Sequence, residues 1–317
     1  MKPKRSNKLK NHMVDISVII VNYNTCKITC ECLNSIFNHT QGVDFEVIVV
    51  DNNSTKDNSK HVLKDHSGII FVQSNTNLGF GKANNLGYEK STGRYILFLN
   101  SDTYLLNNAL KIFVDEFDNM PKEIACIGAQ LLAPDGTNNN SYGELPSFSK
   151  AAKSVAGLYL HPLGIHFKKK NEVVAQIDKP FEVPYVMGAD LCLRREAIEQ
   201  EGLFDPEFFM YYEESEMQYR YQQAGWKSMI VPGPKIVHLE CVSTNGGVKQ
   251  HYSYANRKMF LQGQFLYFRK RYNYPIYLLY RIMFLFSFPL YLRSYYTMKE
   301  RVKLICRLFS STRMSKQ

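Results

Sequence analysis

The 317 residues hold 39 Lys and Arg against 29 Asp and Glu, a formal charge of +10, and 45% are hydrophobic; such a chain buries a core, which excludes a disordered tail or a collagen-like fibre. Its seven cysteines, at 26, 30, 32, 126, 192, 241 and 306, have neither zinc-knuckle spacing nor the density of a disulfide scaffold, and they suit a reducing compartment. Charge is segregated: residues 1–14 carry five bases and no acid, residues 15–248 carry 20 bases and 28 acids, and residues 249–317 carry 14 bases and one acid, Glu300. An acidic body with basic ends is not the uniformly positive face of a nucleic-acid binder, so no nucleic-acid partner is expected.

The basic arm runs into Asn11-His12-Met13-Val14-Asp15, with no apolar stretch or small-residue cleavage site, and a signal peptide is not expected. Ile16–Asn22 and Phe45–Asp51 are near-continuous β-branched runs, the pattern of parallel strands covered on both faces. Between them, residues 29–37 set Cys32, Leu33, Ile36 and Phe37 on one helical face, which makes a βαβ unit. Ile69–Gln73 and residues 95–99 predict two more strands around a glycine-loosened helix start. This alternation predicts an open, doubly wound, mostly parallel α/β sheet with ligands at the carboxyl ends of its strands. Residues 133–182 read as loops, short strands and a flap; order returns over 183–188, in an acidic helix over 213–225 and in a strand near 228–231.

The C-terminal segment is basic and aromatic. Its longest uncharged piece, 282–292, falls well short of the about 18–20 apolar residues of a spanning helix. Tyr and Phe dominate the segment and cations flank it, which suits a position in the headgroup region against anionic lipid. Packing against protein, and a true span or hairpin, are the other two readings.

Several stretches carry chemistry, each beside an ordinary alternative. Asp51-Asn52-Asn53-Ser54 follows a buried strand and is either a ligand site or an Asx/Ser turn. Residues 77–87, with Gly79, Gly81 and Gly87, form a helix start whose free N–H groups suit an anion, but the third glycine of a dinucleotide fingerprint is absent and the piece follows the third strand. Asn100-Ser101-Asp102-Thr103 places a carboxylate just past an apolar strand, as a helix N-cap or as a ligand bridging Mg²⁺ or Mn²⁺ to phosphate. Glu213, Glu214 and Glu216 adjoin an aromatic run; repulsion and an apolar wall would raise a carboxyl pKa as a general base needs, while the plain alternative is an acidic helix start favoured by the dipole. His238 ends a strand-like run, as a structural residue or a ligand.

In order, these pieces resemble the family-2 glycosyltransferases of GT-A fold, and within them the rhamnosyltransferase-type branch of bacterial surface polysaccharide synthesis. The match runs from Ile16 to about residue 245: Val18-Ile-Ile-Val-Asn-Tyr-Asn24, Val49-Val-Asp-Asn-Asn-Ser54, the 77–87 loop, Leu97-Phe-Leu-Asn-Ser-Asp-Thr103, Met187-Gly-Ala189 and Gly202-Leu-Phe-Asp-Pro-Glu-Phe-Phe-Met-Tyr-Tyr-Glu-Glu214, then Pro232 and His238. The resemblance implies that Tyr23 and Asp51 hold the nucleoside base, that the loop from Gly79 to Asn84 contacts base and ribose, and that Gly188 and Ala189 line the sugar pocket. It implies a divalent cation (Mg or Mn) on the donor diphosphate, bound by Asp102 with His238, since Asn100 replaces the family's first acid. Glu214 corresponds to the acid that acts as base, with Glu213 as the alternative, and Arg257 stands where some relatives contact the diphosphate.

The implied organisation is a basic arm over 1–14, a nucleotide-sugar transferase domain over 15–248, and a basic, aromatic-rich helical extension over 249–317 that associates with the membrane. The implied reaction is inverting transfer from a dTDP- or UDP-sugar to a polyprenyl-diphosphate-linked glycan, at the inner face of the cell membrane. The rivals are another nucleotide-dependent enzyme, which would need glycines after the first strand, and a basic membrane- or nucleic-acid-binding adaptor, which leaves Asp102, Glu214 and His238 unexplained.

Overall fold

The β-branched runs at the start of the chain pair as their composition dictates. A computed structural model describes residues 14–160, 177–239, 253–287 and 297–311. In it β1 (Ile16–Asn22) and β2 (Phe45–Asp51) run parallel, joined by α1 (Cys26–His39), so that Asn22 and Asp51 end opposite one another. Then come α2 (Ser59–Lys64), β3 (Ile69–Gln73), α3 (Phe80–Tyr88), β4 (Tyr95–Asn100), β5 (Thr103–Leu105), α4 (Ala109–Asn119) and β6 (Ile124–Ala129). The middle of the chain holds β7 (Tyr142–Gly143), α5 (Phe148–Leu160), β8 (Phe181–Val183), β9 (Tyr185–Val186), β10 (Asp190–Arg194) and α6 (Arg195–Glu201). It closes with α7 (Glu213–Gln223), β11 (Lys227–Val231), β12 (Ile236–His238), α8 (Tyr254–Arg271), α9 (Tyr274–Ser287) and α10 (Met298–Ser311).

Eight of these strands form one sheet in the order β3-β2-β1-β4-β10-β6-β11-β8. Only β10 and β8 run antiparallel to their neighbours, so the expected mostly parallel, doubly wound sheet is present. One face is covered by α1, α2 and α4 through Leu33, Ile36, Leu63, Phe113 and Phe117. The other is covered by α3, α6 and α7 through Ala83, Ile198, Met217 and Tyr221. Covering both faces is why the strands read as continuous apolar runs and not as alternating ones. From β1 the chain adds β2 and β3 on one side and then returns to place β4 on the other, so β1 and β4 meet at the sheet's switch point, where such folds bind ligands.

Two expectations are refined. Helix α5 stands inside the stretch read as loops and flap, and residues 161–176 lie outside the described residues. Asp102 caps no helix: it sits in the turn between β4 and β5, and α4 starts only at Ala109. The basic arm, apart from Val14, also lies outside the described residues.

At the C-terminus, α8, α9 and α10 bury an aromatic cluster that includes Phe265, Phe268, Tyr277, Tyr280 and Phe284 and takes in Phe208 from the body. Phe268 and Tyr280 stack with ring centroids 4.0 Å apart. Lys270 pairs with Asp205 at 2.7 Å and with Glu207 at 2.5 Å, tying the basic end of α8 to the loop before α7. Among the described residues no helix is long and apolar enough to cross a membrane.

Candidate active site

The polar residues that end β1, β2 and β3 form one buried network. Asp51 is fully buried, and its carboxylate accepts from Asn22 Nδ2 (2.8 Å), Gln73 Nε2 (2.8 Å) and the Ser54 amide (3.2 Å). Of the roughly four acceptor positions of a carboxylate, one is left. Asn22 also donates to Ser54 Oγ and accepts from the Thr25 and Thr29 hydroxyls. Asp51 makes the local turn through the Ser54 amide and lies at the carboxyl end of β2. Asn22 was a candidate in the sequence as the polar residue ending the first strand, whereas Gln73 was not, because only the register of β2 with β3 brings it to Asp51. Tyr23, next along the chain, is 41% exposed.

Asn52 organises the glycine loop. Its amide donates to Asn77 Oδ1 (3.0 Å) and the Gly79 carbonyl (3.1 Å), and its Oδ1 accepts from the Leu78 amide (2.8 Å). Gly79 has φ +79°, and a Cβ there would overlap the Phe209 carbonyl, which accepts from the Phe80 amide at 2.8 Å. A left-handed backbone and a backbone neighbour that cannot yield both require glycine. Gly79→Ala should therefore destabilise the protein by about 1–3 kcal/mol, measured by denaturant unfolding; an unchanged midpoint and slope would show that the loop gives way. Asn84 is buried and donates to the Phe80 carbonyl of its own helix (3.2 Å).

At the carboxyl end of β4, Asp102 and His238 come together because β12 pairs antiparallel with β5, with His238 opposite Thr103. Asp102 Oδ1 lies 3.4 Å from His238 Nε2, with side chains 13% and 18% exposed. Asn100 Nδ2 is also 3.4 Å from that nitrogen. One hard oxygen and one imidazole nitrogen fit a Mg or Mn ion that takes its other ligands from phosphate oxygens and water. No group of three or more His, Cys, Asp or Glu able to hold a metal occurs among the described residues; what those residues offer here is this pair. Gly188 and Ala189 adjoin it: the Ala189 carbonyl accepts from the Asn100 amide at 2.9 Å.

The acidic pair opens α7. Gln218, one turn on, locks that helix to β9 by accepting from the Val186 amide and donating to the Val186 carbonyl, both at 2.8 Å. The contacts thus run from the start of α7 through residues 186–189 to Asn100 and Asp102. Tyr211 and Tyr212, just before the pair, both have positive φ, +69° and +73°, a conformation that costs bulky residues about 1–3 kcal/mol each. Phe260 of α8 packs on both rings, and Gly263 of α8 lies so close that a Cβ would overlap the Tyr211 carbonyl. Arg257, on the same helix, holds its guanidinium 5.6 Å from the Phe260 ring. The aromatic run was visible in the sequence; its strained backbone and the α8 brace were not.

Glu213 is 3% exposed, and a Cβ added at Gly81 would stand 3.6 Å from its Cβ. Burial, and then the charge of Glu214, hold its carboxyl well above the usual range. Burial also raises Glu214. Each keeps one buried oxygen, Oε2, without a hydrogen-bond partner among the described residues. Below the ordinary value of 4.5 both folded and unfolded states hold the Glu213 proton; above it the unfolded chain releases the proton first, so this group's contribution is lost as pH rises through the raised folded value. Glu213→Gln, which mimics the protonated form, should flatten that loss in thermal unfolding followed from pH 4.5 upward. A variant with the wild-type slope would mean that Glu213 ionises freely in the fold.

The chain matches the Glycosyl transferase family 2 over residues 17–200. Among curated proteins, N-acetylglucosaminyl-diphospho-decaprenol L-rhamnosyltransferase of Mycobacterium tuberculosis (strain ATCC 25618 / H37Rv) is 24% identical over 227 residues, which cover 68% of this chain and 73% of that protein. Poly(ribitol-phosphate) beta-glucosyltransferase of Bacillus spizizenii is 36% identical over 101 residues, 30% of this chain and 16% of its own length. Among solved structures, the mannosyltransferase PcManGT of Pyrobaculum calidifontis, in complex with GDP-Man and Mn2+, aligns with a TM-score of 0.54 at 16% identity, over 95% of this chain and 81% of that one. GalNAc-T7, solved with UDP, GalNAc and Mn2+, aligns with a TM-score of 0.55 at 18% identity over 80% of this chain, which spans about half (48%) of that one. At such identities the likeness shows the fold, the GT-A-type α/β sheet expected from the sequence.

Proposed function

The chain belongs to glycosyl transferase family 2, and from that premise we propose that it moves a sugar from a dTDP- or UDP-linked donor to a hydroxyl of a lipid-linked glycan in surface polysaccharide synthesis, with inversion. The reading rests on one observation: Gln218, one turn along α7 from Glu214, is hydrogen-bonded to Val186, and Ala189, three residues on from Val186, accepts from Asn100, two residues before Asp102 of the Asp102–His238 pair. A group that takes a proton and a group that holds a diphosphate are both needed for a single in-line displacement.

In this reading Tyr23 packs on the base, and Asp51 accepts its N–H at the one position its neighbours leave. The Gly79 loop, with Asn84 behind it, contacts base and ribose, Gly188 and Ala189 border the sugar, and Arg257 reaches the diphosphate. Asp102 and His238 hold a divalent cation, Mg or Mn; when bound, it supplies Lewis-acid stabilisation of charge on the leaving diphosphate. Glu214 takes the acceptor's proton, with Glu213 beside it as the proton-holding partner. A raised carboxyl pKa keeps Glu214 basic enough for that task near neutral pH.

The proposed organisation is a basic arm over 1–14, the transferase domain over 15–248, and a segment over 249–317 that keeps the enzyme at the inner face of the cell membrane, where a polyprenyl-diphosphate-linked acceptor resides. The rhamnosyltransferase relative, which is named for a decaprenol-linked substrate, supports that choice of acceptor. Donor hydrolysis across a panel of activated sugars, with and without Mn²⁺, tests the reading: release of UDP or dTDP from one of them is expected. Stabilisation by RNA alone, with no hydrolysis of any donor, would overturn it in favour of an adaptor.

A further inference from the structure

Helix α9 is buried on one side only, and its open side is not polar. Tyr277, Tyr280 and Phe284 face the aromatic cluster. Tyr274, Leu278, Leu279, Ile282, Leu285 and Phe286 face outward, the first and last 68% exposed. At about 100° per residue these six sweep about 140° of the helix surface without a charge among them. Arg281 stands at the edge of the arc with its guanidinium 5.8 Å from the Tyr277 ring centroid, the placement of a cation whose stem follows apolar surface while its head reaches for phosphate or water. A single exposed leucine needs no explanation, but a continuous apolar stripe on one helix does.

We propose that this face of α9 docks on an anionic lipid bilayer, the helix lying in the headgroup plane with its apolar arc turned toward the acyl chains. Charge selects the occupant. Residues 249–317 carry 14 bases and one acid, and Lys299 and Lys303 of α10 are exposed. Anionic phospholipid is drawn to that charge, whereas a second copy of the same segment is repelled by it. Of the tyrosines that suggested a headgroup position in the sequence, Tyr277 and Tyr280 point inward, so aliphatic side chains with Tyr274 and Phe286 make the contact. The docking face rests on the transferase reading only in assuming that the acceptor's lipid lies in the same bilayer.

The test uses the full chain, with vesicles of phosphatidylcholine prepared with and without phosphatidylglycerol. Wild type should sediment with the anionic vesicles and less so in high salt. The double variant Leu278→Glu/Ile282→Glu should lose about tenfold or more in partitioning. Both positions are exposed, so circular dichroism and melting should stay as in wild type. In a second measurement, Phe286→Trp adds a probe to a chain whose sole tryptophan is Trp226; a blue shift on adding anionic vesicles is expected. Equal sedimentation of the double variant, absence of the shift, or a wild-type dimer that the glutamates convert to monomer would each overturn the proposal. Donor hydrolysis without vesicles keeps the two readings apart: hydrolysis without sedimentation sinks the docking face alone, and sedimentation without hydrolysis supports it while sinking the transfer reading.

Discussion

Glu214→Gln should lower sugar transfer by about 10²–10⁴-fold, the range of a lost general base, while donor affinity stays at the wild-type level. The amide keeps the shape of the side chain and removes only its ability to take a proton. Glu214 is favoured over Glu213 on exposure: Glu213 is 3% exposed and backs onto Gly81, whereas Glu214 as a residue is half-buried at the start of a helix locked to β9. The pH profile carries the same distinction. With its pKa raised by burial, Glu214 should put the acid limb of the rate above the ordinary carboxylate range, with activity rising as pH increases through it. Glu213→Gln should keep that limb and most of the rate. Full transfer by Glu214→Gln, with Glu213→Gln inactive, would exchange the two roles.

Asp102→Ala should remove the part of donor binding that depends on a cation. Calorimetric titration of nucleoside diphosphate would then give the same affinity with and without Mn²⁺, where wild type should bind at least about tenfold to a hundredfold tighter with the ion present. The pair is small, one carboxylate and one imidazole, so no third protein ligand compensates among the described residues. Structural collapse is not expected to confuse the result, because Asp102 lies in a turn and its carbonyl, which accepts from the Leu239 amide at 2.9 Å, survives the substitution. His238→Ala should give a weaker form of the same loss. Unchanged Mn²⁺ dependence in Asp102→Ala would end the assignment.

Much of the sheet was legible because its signals are local. β1, β2 and β3 were bounded correctly by runs of β-branched residues between turn formers, and the start of α7, though not its end, by three acids. Asp51 and Asp102 were picked out because strands of this kind end where ligands bind. What remained hidden depends on residues far apart in the chain. The resemblance paired His238 with Asp102, but the cause, the return of β12 to β5, is tertiary, and Gln73 reaches Asp51 only because β1, β2 and β3 share one register.

The C-terminal segment divides the same way. Composition alone determined that it is basic, aromatic and too short in its apolar run to cross a bilayer. Which side of α9 is covered was decided by packing: Tyr277, Tyr280 and Phe284 repeat at helical spacing and meet the aromatics of α8, so burial claims them and leaves the aliphatic residues outside. Hydropathy is a property of each residue and can be read from the chain, whereas the partner that a face meets is set by the sheet order and the crossing of distant helices.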